Sequence, residues 1–171
     1  MRNQVFSRAE FCPELPAGAG KCTLTAYCRD DIGTLGDQAG RWGVIICPGG
    51  GYQIVGRNEG EPVALEFLAR GVQAFTLRYS VVPNRHPQPM LELASAVAFV
   101  RENAARFNVN RVAVCGFSAG GHLCGTLANF WHDPSVSRAL GGDAERYRPD
   151  AVILGYPVIS DDPVMGCPCI I

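Results

Sequence analysis

Short apolar runs separated by stretches of helical periodicity constrain this chain more than any other feature of its sequence. Residues 42–47 (WGVIIC), 72–79 (VQAFTLRY), 112–115 (VAVC) and 151–156 (AVILGY) are strand-length runs with little polar interruption. Between them, residues 62–69 set Val63, Phe67 and Leu68 at helical spacing behind Pro62, with Gly71 as a stop. Residues 90–107 place Leu93, Val97, Val100, Ala104 and Phe107 at three- and four-residue steps, and residues 119–130 form a helix-length stretch rich in small side chains. Strands that are apolar on both faces need cover on both faces, and a helix between successive strands supplies it. The order therefore predicts an α/β fold on a mostly parallel sheet, with helices on both sides. Residues 22–28 differ, alternating Cys22, Leu24, Ala26 and Cys28 with Thr23, Thr25 and Tyr27, the pattern of a half-covered outer strand. Residues 1–20, with Pro13, Pro16, Gly18 and Gly20, read as an irregular lead-in, and the proline-rich residues 83–89 as a loop over the sheet.

A length of 171 residues suits a single domain whose core needs neither disulfide nor metal. The cysteines fall mostly in the apolar runs, so Cys22, Cys28, Cys47, Cys115 and Cys124 are expected as reduced core residues. Cys167 and Cys169 flank one proline, closer together than zinc ribbons require and without a second ligand pair, which predicts no metal site. A net charge of −1 removes the electrostatic footprint of a nucleic-acid binder. No apolar run approaches the roughly 18 residues of a membrane span, and the opening residues lack an apolar signal core; the expectation is a cytoplasmic chain without a membrane partner.

Residues 112–121 read Val-Ala-Val-Cys-Gly-Phe-Ser-Ala-Gly-Gly, a strand leading through G-x-S-x-G into a helix. A serine at such a turn presents its hydroxyl above the sheet, with glycines two positions away on either side so that strand and helix pack closely, and Ser118 is the candidate nucleophile. Alone, the motif would equally suit a small residue in a tight turn. Here a second glycine loop, Gly49-Gly50-Gly51, follows the 42–47 strand, where oxyanion donors for such a serine belong. The N–H groups of Gly50, Gly51 and Ala119 are the candidate oxyanion hole. A phosphate loop is the rival reading of residues 51–58, but Arg57 and Asn58 stand where a lysine and a hydroxyl are needed, and Ile54 breaks the dinucleotide-binding spacing.

The segments CPGGGY, GEPVALEFLARGVQAFTLRYS and GFSAGGHL resemble the acetyl esterase and acetylxylan-esterase-like carboxylesterases of the α/β-hydrolase superfamily, over about residues 20–160. The resemblance implies a serine hydrolase of short acyl esters, some on sugars, working through an acyl-enzyme with no cofactor; a peptidase of the same superfamily is the alternative enzyme. Many relatives open the glycine loop with histidine where this chain has Cys47-Pro48. In this fold the acid and then the histidine follow the serine along the chain. Only His122 and His132 follow Ser118, with no carboxylate before either. The likeness ends at Tyr156-Pro157-Val158, where complete relatives continue with two further strands. Asp161 and Asp162 come one strand too early for the triad acid and read as an exposed turn. His122 belongs to the helix string GGHL, His132 to a helix end and His86 to the proline-rich loop. The expectation is an incomplete α/β-hydrolase fold lacking its last strands, impaired or inactive in catalysis or else a non-catalytic fragment, and self-associating through the strand at 151–156.

Overall fold

A computed structural model describes residues 1–16, 21–29 and 41–160. Its six-stranded sheet has the order β1 (Arg2–Ser7), β2 (Thr23–Cys28), β4 (Gln73–Arg78), β3 (Trp42–Cys47), β5 (Arg111–Phe117), β6 (Ala151–Gly155). Strands β4, β3, β5 and β6 run parallel, whereas β1 pairs antiparallel with β2, and β2 with β4. The helices are α1 (Arg8–Phe11), α2 (Glu61–Ala69), α3 (Gln88–Glu102), α4 (Ala104–Phe107), α5 (Ala119–Phe130) and α6 (Pro134–Leu140), followed by a 3-10 turn at Ala144–Tyr147.

The continuous apolar runs are explained by two-sided burial. Along β3, Ile45 and Cys47 face the larger core with α3 and α5, while Val44 and Ile46 face a smaller core under α2 with Ala64 and Leu68. A strand with both faces covered has no solvent side to demand alternation. The predicted cysteines Cys22, Cys28, Cys47, Cys115 and Cys124 are all buried and unbridged, as is Cys12. Cys167, Cys169, Asp161 and Asp162 lie outside the described residues.

The structure corrects the reading in three places. The lead-in at 1–20 contains β1, paired with β2 from Arg2 opposite Cys28 to Ser7 opposite Thr23, so β2 lies inside the sheet and not at its edge. Within β1 only Phe6 is buried; the strand exists because β2 offers its backbone, and no apolar alternation announces it. Phe6 anchors it edge-on against Phe99 at 4.9 Å and Phe107 at 6.0 Å. The helix expected over 90–107 breaks at Asn103, whose side-chain amide donates to the Phe99 carbonyl at 2.9 Å and competes with the helix ladder. After α5 the chain turns into α6, absent from the reading, whose first turn is capped by the Asp133 carboxylate accepting from Ser135 N at 2.8 Å.

Beyond β4 the chain is held by a buried carboxylate. Glu92, fully buried on α3, accepts from Ser80 N at 2.7 Å, Ser80 Oγ at 2.6 Å and Gln88 Nε2 at 3.0 Å, with Arg8 Nη1 at 3.6 Å. Hydrogen bonds and a nearby cation meet the requirement for burying a charge. They fix both ends of the 80–88 loop.

No helix among the described residues is long and apolar enough to cross a membrane. At the far edge of the described sheet, Val152, Ile153 and Leu154 of β6 are 38–44% exposed, whereas Val44, Ile45 and Ile46 in β3 are at most 1% exposed. An apolar edge strand with unpaired backbone groups is a template for pairing. Sedimentation velocity on residues 1–171 is therefore expected to show concentration-dependent self-association, reduced by Ile153→Lys; a single monomer boundary at all concentrations would contradict this.

Candidate active site

The site begins where β5 meets α5. Ser118, the residue between them, takes φ 51° and ψ −117°, a conformation that L side chains rarely adopt. Such a residue carries strain on the order of 1–3 kcal/mol and persists only when its surroundings hold it. Ser118 N donates to the Gly155 carbonyl at 3.0 Å, and the Ser118 carbonyl accepts from His122 N at 3.0 Å and Val158 N at 3.2 Å. Close packing supplies the rest: a Cβ on Gly120 would lie 2.6 Å from the Pro48 carbonyl oxygen and closer still to that of Cys47. Only glycine lets α5 start against the end of β3.

That contact brings the glycine loop to the serine. A Cβ on Gly49 would meet the Ser118 Cβ at 3.0 Å. Gly50 and Gly51 have φ of 138° and 59°, and the Gly50 carbonyl accepts from Gln53 N at 3.0 Å and Ile54 N at 3.2 Å, closing the loop into a tight turn. Gly49 N donates to Glu59 Oε2 at 2.6 Å. The N–H groups of Gly50, Gly51 and Ala119 donate to no acceptor among the described residues. The fold thus gathers the predicted segments around Ser118 and leaves these three donors open, with α5 adding the positive end of its dipole.

Glu59 escaped the sequence reading because it stands in a turn without periodicity or motif. Its carboxylate holds Gly49 on one oxygen and accepts from the Tyr156 hydroxyl on the other, joining the glycine loop to the segment after β6. Tyr52, the last residue of the CPGGGY segment, has a role that the motif did not announce. Its hydroxyl lies 2.9 Å from His122 Nδ1, with the two rings edge to face at 5.9 Å.

His122 is not arranged as a triad histidine. Its hydrogen-bond partner is a tyrosine hydroxyl, and it forms no ion pair with a carboxylate among the described residues. Burial, followed by the neighbouring positive charge of His86, pushes its pKa below the ordinary histidine value. A base held by a carboxylate would shift the other way. His132 lies just past α5 with its ring 5.1 Å from that of Trp131. His86 lines a cavity of about 450 Å³ bordered by Tyr52, Met90, His122, Leu123 and Thr126, one helical turn along from Ser118. The cysteines nearby are inert as nucleophiles: burial raises the Cys115 thiol to about 12 and pushes Cys124, against Cys47, well above the usual thiol range.

Comparison with known proteins places the chain in a family. The family model described as BD-FAE matches residues 36–157. An endo-1,4-beta-xylanase B of Butyrivibrio fibrisolvens is 40% identical over 131 residues, covering 72% of this chain and 20% of its own. An acetylxylan esterase of Xylanibacter ruminicola is 29% identical over 122 residues, covering 70% of this chain and 23% of its own. Among solved structures, an alpha/beta hydrolase from a Medee basin deep-sea metagenome library superposes with a TM-score of 0.69 at 35% identity, over 88% of this chain and 57% of that one. The chain belongs to the BD-FAE family of α/β hydrolases. It spans about a fifth of the length of these curated relatives and somewhat over half of the solved chain.

Two outcomes test the site's construction. Gly120→Ala is expected to cost about 3 kcal/mol or more, because a methyl group would meet backbone oxygens that cannot retreat. At this chain length that lowers the melting temperature by roughly 6–12 °C. Gly125→Ala, whose Cβ would meet nothing nearer than 3.9 Å, should melt no lower than the unsubstituted chain. In NMR titrations, the His122 ring is expected to protonate below the ordinary histidine range of about 6.5. Its depressed folded-state pKa disfavours the fold as pH falls through the unfolded value and toward the folded one, and Tm should decline in that window.

Proposed function

We propose that Ser118 is the nucleophile of a carboxylesterase-type hydrolase acting on short acyl esters, with the N–H groups of Gly50, Gly51 and Ala119 as its oxyanion hole. The observation that carries this reading is the strained Ser118 set against a glycine loop whose Gly50 and Gly51 N–H groups are open. The acetylxylan esterase relative supports a small acyl group, and the xylanase relative is consistent with a saccharide as the alcohol.

In this mechanism Ser118 Oγ attacks the ester carbonyl, whose oxygen takes up negative charge facing the three N–H groups. Backbone donors held rigid before the reaction stabilise that charge without reorganising, an effect worth about 3–4 kcal/mol for a single donor. Collapse of the tetrahedral intermediate expels the alcohol and leaves an acyl-Ser118, which water then clears. Both halves require a base to take a proton and return it to the leaving group. His122 does not fill that role in this reading, because it has no carboxylate partner among the described residues and is held by Tyr52. In this reading the described residues hold oxyanion donors but no complete triad, and residues 1–171 by themselves are impaired.

Purified residues 1–171 should hydrolyse a small aryl acetate slowly, and Ser118→Ala should lower the rate without bringing it down to the buffer background. Binding and oxyanion donors alone can leave about 10³-fold or more over water. The pH–rate profile should lack a rise through about pH 6.5. Hydrolysis unaffected by Ser118→Ala would overturn the assignment of the nucleophile. Fast turnover with such a rise, abolished in His122→Ala, would overturn the reading of His122.

A further inference from the structure

A second cavity, of about 500 Å³, adjoins the first and is lined by three cations: Lys21, Arg57 and Arg78. They come from separate segments brought together by the sheet. Arg78 ends β4 opposite Thr23 in the antiparallel register with β2, Lys21 lies two residues before Thr23, and Arg57 stands in the loop between β3 and α2. No aspartate or glutamate among the described residues lines the cavity. The side chains of Lys21, Arg57 and Arg78 form no ion pair or hydrogen bond among the described residues, whereas Arg8, Arg70, Arg101, Arg146 and Arg148 each approach a carboxylate. Like charges gathered without a counter-charge raise the potential of the space they surround and favour an anion there.

The remaining lining narrows the kind of anion. Ile54, Val55, Val82 and Pro83 present apolar surface, Gln53 an amide, and the volume exceeds what an inorganic anion fills. Apolar faces beside hydrogen-bonding groups suit the C–H face and hydroxyls of a sugar ring, and a guanidinium offers paired donors to a carboxylate. The cavity opens at the carboxyl ends of β3 and β4, the side of a parallel sheet where ligands bind, and Gln53 and Val82 line both it and the cavity beside His122.

We propose that Lys21, Arg57 and Arg78 form a subsite for a carboxylate-bearing saccharide, so that the alcohol portion of the ester is an acidic oligosaccharide. The link to the ester rests on the esterase reading above; the subsite itself does not. A ligand extending from the first cavity into the second would place its acidic residue among the three cations.

Calorimetric titration of residues 1–171 with trigalacturonate, xylotriose and inorganic phosphate tests this. At low ionic strength trigalacturonate is expected to bind at least tenfold more tightly than neutral xylotriose, and the advantage should shrink as salt is raised. Arg57→Gln and Arg78→Gln should each weaken trigalacturonate binding about three- to tenfold. Arg111→Gln, at the opposite end of the sheet, should leave it unchanged. Xylotriose binding as tightly as trigalacturonate, phosphate binding as tightly as trigalacturonate, or unchanged affinity in both arginine variants would each overturn the proposal. Ser118→Ala should bind trigalacturonate normally, so failure of the subsite and failure of the nucleophile assignment are read separately.

Discussion

The direct backbone approach of α5 to the end of β3 is the contact on which the rest of the site depends. With no side chain on Gly120, the first turn of α5 rests against the Cys47 and Pro48 carbonyls, and the glycine loop emerging from β3 is carried up to Ser118. The same geometry works from the strand side: a Cβ on Gly116 would lie 2.7 Å from Gly121 N, so the approach of strand to helix also needs an unsubstituted position there. The strained conformation of Ser118 follows from this arrangement. A sharp reversal between a buried strand and a buried helix leaves one residue to absorb the turn, and the hydrogen bonds from Ser118 to the β6 end hold it in that state.

Polar groups around this contact divide between those already satisfied and those left open. Glu59 takes Gly49 N and the Tyr156 hydroxyl, fixing the root of the glycine loop. Tyr79 donates to the Pro48 carbonyl at 2.6 Å from below, and burial pushes its phenol well above the usual range, so it stays a neutral donor. Tyr52 engages His122. Among the described residues Gly50 N and Gly51 N have no acceptor, and neither do Tyr52 N in the same turn and Ala119 N at the start of α5. A turn closed by its own backbone hydrogen bonds can hold such donors ready for developing negative charge without rearrangement.

The sheet is asymmetric around this centre. Toward β1 it is finished by antiparallel strands, with Phe6 packed among aromatic rings. Toward β6 the described sheet ends on a parallel strand with apolar side chains open to solvent. Parallel strands are ordinarily covered on both faces, and among the described residues α5 is the helix that packs closely on β6. The site lies between these halves, closer to the uncovered one. Tyr156, which reaches back to Glu59, is itself 66% exposed.

The strand and helix order, the elbow at Ser118 and the glycine loop at 49–51 were legible in the sequence because local chemistry determines them. Apolar runs of strand length must be buried, helical periodicity must find a face, and glycine at fixed offsets permits what other residues forbid. Helix α5 appears over the span expected, since its start is marked by the elbow itself. Other features were decided only by tertiary structure. β1 is a strand because β2 lends it hydrogen bonds, and five of its six residues are exposed. Glu59 carries no motif and Tyr52 only ends the CPGGGY segment; their roles arise from what the folded loop sets beside them. Lys21, Arg57 and Arg78 are distant along the chain and unremarkable one by one; antiparallel pairing of β2 with β4 and the return of the β3 loop place them around one cavity. Sequence determines what a segment can form by itself, because propensity and burial act locally. Which side chains meet across segments depends on strand order and register, which no single segment contains.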